Sequence, residues 1–135
     1  MKPKGFTLIE MMIVVVTIMI MVCILLPRMI ELIEYSKSIE ALTNFSYIRQ
    51  SVERCMAFEK SYRKCATFSK VDFGNPSNVT NSHFNYEFTD VTRYGYKILA
   101  TRNNWEGGDG LSTIALEQTR NEIIRSGTGV FSRIR

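Results

Sequence analysis

The residue most in need of a chemical explanation is Glu10. It lies within residues 6–26 (FTLIEMMIVVVTIMIMVCILL), where 18 of 21 side chains are apolar and the other polar ones are Thr7 and Thr17. A carboxylate in an apolar span costs roughly 2.5–3.5 kcal/mol at a bilayer centre and less near its edge, and such groups usually have a partner. No Lys or Arg lies between Lys4 and Arg28, so the partner expected for Glu10 is a chain terminus or another molecule. A second candidate chemistry is sulfur chemistry, because Cys55 and Cys65 are ten residues apart. On an unbroken helix that spacing is about 15 Å, and a disulfide needs Cα atoms within about 7 Å. Either the thiols are free or the chain turns back between them; an oxidising compartment and an even pair favour the bridge. Cys23 reads as a small apolar residue of the span. Glu106 and Asp109, in the turn Asn-Asn-Trp-Glu-Gly-Gly-Asp-Gly, are a weak candidate for calcium, which takes oxygen ligands. The spacing matches no defined calcium loop, and a plain glycine-rich turn is the favoured alternative. The single histidine, His83, is expected to be a surface imidazole in a loop. No nucleophile–base pair, H-E-x-x-H, P-loop or Cys-x-x-Cys occurs, so a non-enzymatic chain without a cofactor is expected.

These residues are positioned by a chain of two unlike parts. The 135 residues have a mean hydropathy of −0.04 and a formal charge of +4, which exclude an acidic disordered protein and a polyanion-coating tail. The average conceals the apolar run. As a helix it spans about 31 Å, the hydrocarbon thickness of a bilayer, and it is apolar on all sides. Lys2 and Lys4 precede it and Arg28 follows, which predicts a cytoplasmic N-terminus and an outer domain. Leu25-Leu26-Pro27-Arg28-Met29 has no small-residue signal-peptidase site, so a span that is uncleaved or cut on its N-terminal side is expected.

The segment Lys4-Gly5-Phe6-Thr7-Leu8-Ile9-Glu10, followed by the apolar tract and Pro27, resembles the processing signal of type IV prepilins and of type II secretion pseudopilins. The resemblance covers about the first 27 residues closely. It implies that a membrane-embedded peptidase and methyltransferase cuts between Gly5 and Phe6 and methylates the Phe6 amine. Glu10 would then pair with the Phe6 amine of a neighbouring subunit. Two charges in an apolar bundle are tolerable only when paired, so that contact would set register as well as affinity. Many pilins also have a mid-segment glycine that loosens the helix; this chain has none between Gly5 and Gly74, leaving Pro27 to kink or break it.

Beyond Pro27, residues 28–73 contain neither Gly nor Pro, and Ile39, Leu42, Phe45, Ile48, Val52 and Cys55 recur every three or four residues. This is an amphipathic stripe, read as core. Alternation at Phe84-Tyr86-Phe88 and at Tyr94-Tyr96-Ile98-Ala100 predicts two strands, residues 112–119 a third and residues 122–131 a fourth. The expected fold is α+β and pilin-like: one long N-terminal helix, half of it transmembrane, on a three- to four-stranded antiparallel sheet. The expected segments are a leader (1–5), a membrane and filament-core helix (6–27), its amphipathic half (28–60) and a globular head (61–135).

The function this implies is a structural subunit of a type IV pilus, with copies of itself, the prepilin peptidase and inner-membrane assembly machinery as partners. The precursor would sit in a bacterial inner membrane and the product in an extracellular or periplasmic filament. The alternatives are a pseudopilin of a type II secretion system, or a single-pass membrane protein with an extracytoplasmic binding domain. Arg120, Arg125, Arg133 and Arg135 gather near the C-terminal end. Losing a leader with Lys2 and Lys4 lowers the formal charge from +4 to +2, so a solvated edge is expected there and no specific nucleic acid.

Overall fold

A computed structural model describes residues 5–134. The fold is α+β, with one long N-terminal helix and a four-stranded antiparallel sheet. Helix α1 runs Leu8–Glu59, continuing through Pro27 where a break or kink was expected. Proline has no N–H to give the Cys23 carbonyl one turn back. The chain divides into two compact units, one ending at Glu34 and one beginning at Tyr35.

The second unit is built on one face of α1. Its buried helix residues are Ser38, Ala41, Phe45, Ile48, Ser51 and Val52. Phe45, Ile48 and Val52 belong to the stripe expected from the sequence, but Ile39 is 55% exposed and Leu42 is only partly buried. Small residues take the inner positions instead. Ser38 and Ser51 can be buried because each hydroxyl finds a partner: Ser38 Oγ donates to the Tyr35 carbonyl at 2.5 Å, and Ser51 Oγ accepts the Asp72 N–H at 3.1 Å.

A short helix α2 (Tyr62–Cys65) follows, then strands β1 (Phe84–Thr89), β2 (Gly95–Arg102), β3 (Thr113–Thr119) and β4 (Ile123–Gly127). They form a meander in the order β1-β2-β3-β4. Tyr86 faces Ala100, Ile98 faces Leu116, and Gln118 faces Ile123. The fourth strand is shorter than the sequence suggested, since residues Gly129–Phe131 form a 3-10 turn. Phe84, Tyr86, Tyr96, Ile98, Ala100, Ile114 and Leu116 join the helix face in a single core. The Phe45 and Tyr86 rings meet edge to face at 6.0 Å, and Asn44 Nδ2 donates to Tyr86 Oη at 2.8 Å. Burial pushes the Tyr86 and Tyr96 hydroxyls well above the ordinary tyrosine value.

Cys55 and Cys65 are joined in a disulfide, with Cα atoms 5.7 Å apart. The reversal that brings them together is made without glycine. Lys60 adopts φ 55°, the left-handed conformation that usually ends a helix at glycine. Cys23 is a free, exposed thiol on α1.

Phe45 has no exposed surface. Phe45→Ala is expected to destabilise the second unit by about 3–5 kcal/mol, because the transfer and cavity terms add. Denaturant unfolding of the detergent-solubilised chain, followed by near-ultraviolet circular dichroism, measures this.

Candidate functional site

The first candidate site is the N-terminal part of α1. Large apolar side chains are exposed along it on every side, from Leu8 at 80% to Ile33 at 51%, and none is buried. This stretch is long and apolar enough to span a membrane. Thr17 Oγ1 donates to the Val14 carbonyl at 2.8 Å, a bond that removes a hydroxyl from its apolar surroundings.

Glu10 has a local partner that is neutral rather than a cation. The Thr7 N–H and the Thr7 hydroxyl both donate to Glu10 Oε2 at 3.4 Å, while the Glu10 N–H donates to the Thr7 carbonyl at 3.1 Å. Thr7-Leu8-Ile9-Glu10 is thus half of a capping box, in which the acidic residue reaches back to the amide that opens the helix. The Thr-x-x-Glu spacing before an apolar run was a legible signal. A carboxylate in the first helical turn also complements the positive end of the helix dipole. Gly5 and Phe6 precede the helix. No atom lies within 4 Å of where a Gly5 Cβ would stand, and Phe6 is 73% exposed, so the bond between them is accessible. The other residues of the expected leader, 1–4, lie outside the described residues.

The second candidate site is the β2–β3 loop with Glu106 and Asp109. Arg102, at the end of β2, is fully buried. Its Nη1 donates to the carbonyls of His83 at 3.1 Å and Asn103 at 3.2 Å and to Asn103 Oδ1 at 3.1 Å, and the group lies over the Phe84 ring. The loop closes tightly round this guanidinium. A Cβ on Gly108 would stand 1.9 Å from the Asn103 carbonyl oxygen. Within the loop Glu106 takes φ 50°.

His83 is held, rather than being a free surface imidazole. Its Nδ1 is 2.6 Å from Glu40 Oε2 and its Nε2 is 3.0 Å from Glu106 Oε2. Lys37 Nζ adds a bond of 3.1 Å to the Glu106 carbonyl and stands 3.7 Å from its carboxylate. The hydrogen bond to His83 leads the causes that hold the Glu106 carboxyl below its ordinary value, with Lys37 helping and desolvation opposing. Asp109 turns elsewhere. Its carboxylate accepts the Leu111 N–H at 3.0 Å, the Ser112 N–H at 2.9 Å and the Ser112 hydroxyl. Burial pushes its carboxyl up, and those bonds outweigh it, so the net shift is downward. Glu106 and Asp109, paired in the sequence as calcium candidates, therefore serve different partners. Among the described residues no group of three or more metal-ligating side chains converges.

No family model, no characterised protein and no solved structure matches this chain.

Since its folded value is depressed, Glu106 contributes to loop order above the ordinary glutamate value of about 4.3, and the contribution is lost as pH falls through the lower folded value. Glu106→Gln is expected to speed amide hydrogen exchange across residues 103–111 at neutral pH. The difference from the native chain should vanish in acid below the folded value. Exchange profiles at the two pH values check both parts.

Proposed function

We propose that the chain is the structural subunit of a type IV pilus, inserted in a membrane as a precursor and assembled by helix packing after a cut between Gly5 and Phe6. The observation that carries this proposal is the order of three features at the start of α1. An accessible Gly5-Phe6 bond stands directly before a span that is exposed and apolar on every side, and the span's one carboxylate sits four residues after Phe6. A helix with no apolar stripe of its own needs an apolar environment all round, which lipid supplies first and copies of the same helix supply later. The second unit, with its own core and disulfide, is the part displayed outside the membrane.

In this mechanism the cut creates an amine on Phe6, one residue before the Thr7 N–H that now holds Glu10. A neighbouring subunit brings that amine to Glu10, and the ion pair replaces the two long bonds from Thr7. Charge-assisted hydrogen bonds are about twice as strong as neutral ones. A subunit in the wrong axial register leaves a carboxylate and an ammonium unpaired in an apolar core, a penalty of several kcal/mol that selects the correct one.

Mass spectrometry of the protein from cells that hold the prepilin peptidase is expected to find an N-terminus at methylated Phe6. An intact Met1 there would overturn the proposal. Glu10→Ala is expected to insert into the membrane normally and to yield almost no fibres, as counted by electron microscopy of sheared filaments. Normal fibre yield would remove Glu10 from assembly.

A further inference from the structure

His83 stands between two carboxylates that come from different parts of the second unit. Its Nδ1 is 2.6 Å from Glu40 Oε2 on α1, and its Nε2 is 3.0 Å from Glu106 Oε2 in the β2–β3 loop. Both are hydrogen-bond distances. An ionised carboxylate can only accept, and a neutral imidazole has one N–H donor and one bare nitrogen. Only the imidazolium, with an N–H at each position, satisfies both contacts at once. Two other charged groups face this cluster. Lys37 Nζ stands 3.7 Å from the Glu106 carboxylate, and Arg102 Nη1 donates to the His83 carbonyl at 3.1 Å. Both oppose a further positive charge, but the carboxylates are the groups in direct contact with the ring.

Loss of the ring's second proton acts unequally on the two sides. Glu40 is doubly tied to His83, because its Oε1 also accepts the His83 backbone N–H at 3.3 Å. Its ring contact is also the shorter, so the remaining proton belongs at Nδ1. Nε2 then turns a lone pair toward Glu106 Oε2, and an attraction becomes a repulsion. The Glu106 side chain is 57% exposed, against 33% for Glu40, so it is the one with room to swing into solvent.

We propose that His83 is a pH-operated clasp, in which the imidazolium joins the β2–β3 loop to α1 and the neutral imidazole releases it. Histidine is the side chain whose charge ordinarily changes between about pH 5 and pH 8. The docked loop binds the extra proton and the released loop does not, so docking weakens as pH rises. Above the change, Glu106 keeps only its contacts with Lys37. The loop presents Trp105 and, at its far end, Leu111, both exposed. The clasp therefore sets how rigidly these apolar side chains are displayed.

His83 is the single histidine of the chain, so its ring is followed without ambiguity. The test uses the full chain in neutral detergent with isotope-labelled histidine. Ring-nitrogen shifts and amide protection factors are recorded from about pH 5 to pH 8. Protection factors divide out the chemical pH dependence of exchange. At the acid end both ring nitrogens are expected to carry protons. By the alkaline end, protection across residues 103–111 should fall about three- to tenfold, with the same midpoint as the ring. Amides of the buried helix face, at Phe45, Ile48 and Val52, should keep their protection. His83→Asn retains the backbone tie to Glu40 and removes the ring, so its loop should show the low, alkaline level of protection throughout. Four results would each overturn the assignment: loop protection in the native chain that does not change with pH, a loop midpoint apart from that of the ring, the same pH-dependent fall in His83→Asn, or an equal fall at Phe45, Ile48 and Val52.

Discussion

The second unit depends on a narrow seam in which a helix face with very small side chains at some positions meets a sheet with very large ones. Phe45, Ile48 and Val52 supply the bulk on the helix, and Phe84, Tyr86, Tyr96, Ile98 and Leu116 supply it on the sheet. Burying each such side chain is worth about 1.5–3 kcal/mol. A four-stranded sheet with one apolar face cannot stand uncovered, and the helix is its cover. Ser38, Ala41 and Ser51 are the concession that lets the cover approach. The polar cost of that concession is met in place, since both hydroxyls are hydrogen-bonded. The disulfide then fixes the point where the helix ends and the chain turns back toward the sheet.

From that seam the β2–β3 loop inherits its shape. Arg102 is buried at the end of β2, where its Nη1 donates to two backbone carbonyls and to Asn103 Oδ1. Such a group is costly to leave half-satisfied, so the loop that answers it has little freedom. Gly108 is glycine because backbone oxygen occupies the space a Cβ would need. Glu106 is then carried back toward the helix, where Lys37 meets it directly and His83, itself held by Glu40, bonds its carboxylate. Its left-handed φ carries a cost, which these charge contacts offset. Seen from the loop, the two carboxylates that suggested a cation site are structural ties, one to the helix and one to the strand that follows.

Much of this was legible in the sequence, for identifiable reasons. Strict alternation at Phe84-Tyr86-Phe88 and the helical recurrence of Phe45-Ile48-Val52 are strong periodic signals, and the fold class followed from them. The register at the start of the seam did not follow. Periodicity counts apolar residues, so it chose Ile39 and Leu42, whereas close packing chose Ser38 and Ala41. The end of α1 fell where the sequence reading put it, near residue 60, although the segment 56–64 has no glycine; Lys60 accepts the left-handed conformation instead. Long-range polar contacts were beyond reach for a different reason. His83 lies 43 positions from Glu40 and 23 from Glu106, and no local pattern couples residues so far apart. The half capping box at Thr7 and Glu10 is written in the Thr-x-x-Glu spacing, but the expected partner was a cation and the observed one is neutral.

That neutral partner alters the physical meaning of Glu10. A carboxylate with no partner would make the apolar span expensive to insert, and one with a permanent ion pair would have nothing left to offer a second molecule. Two bonds of 3.4 Å from Thr7 lie between these cases. They are longer than the usual range for N–H···O and O–H···O contacts, and both donors are neutral. They lower the cost of holding the charge at the start of an apolar helix without saturating it. On the filament proposal, a neighbour's ammonium then wins the exchange on strength alone, and its advantage grows as the surrounding dielectric falls. On that proposal, a lone subunit in lipid and a packed subunit in a fibre would use the same carboxylate, once as a helix cap and once as half of an ion pair. The apolar surroundings that make the charge costly in the first state are what make the pairing selective in the second.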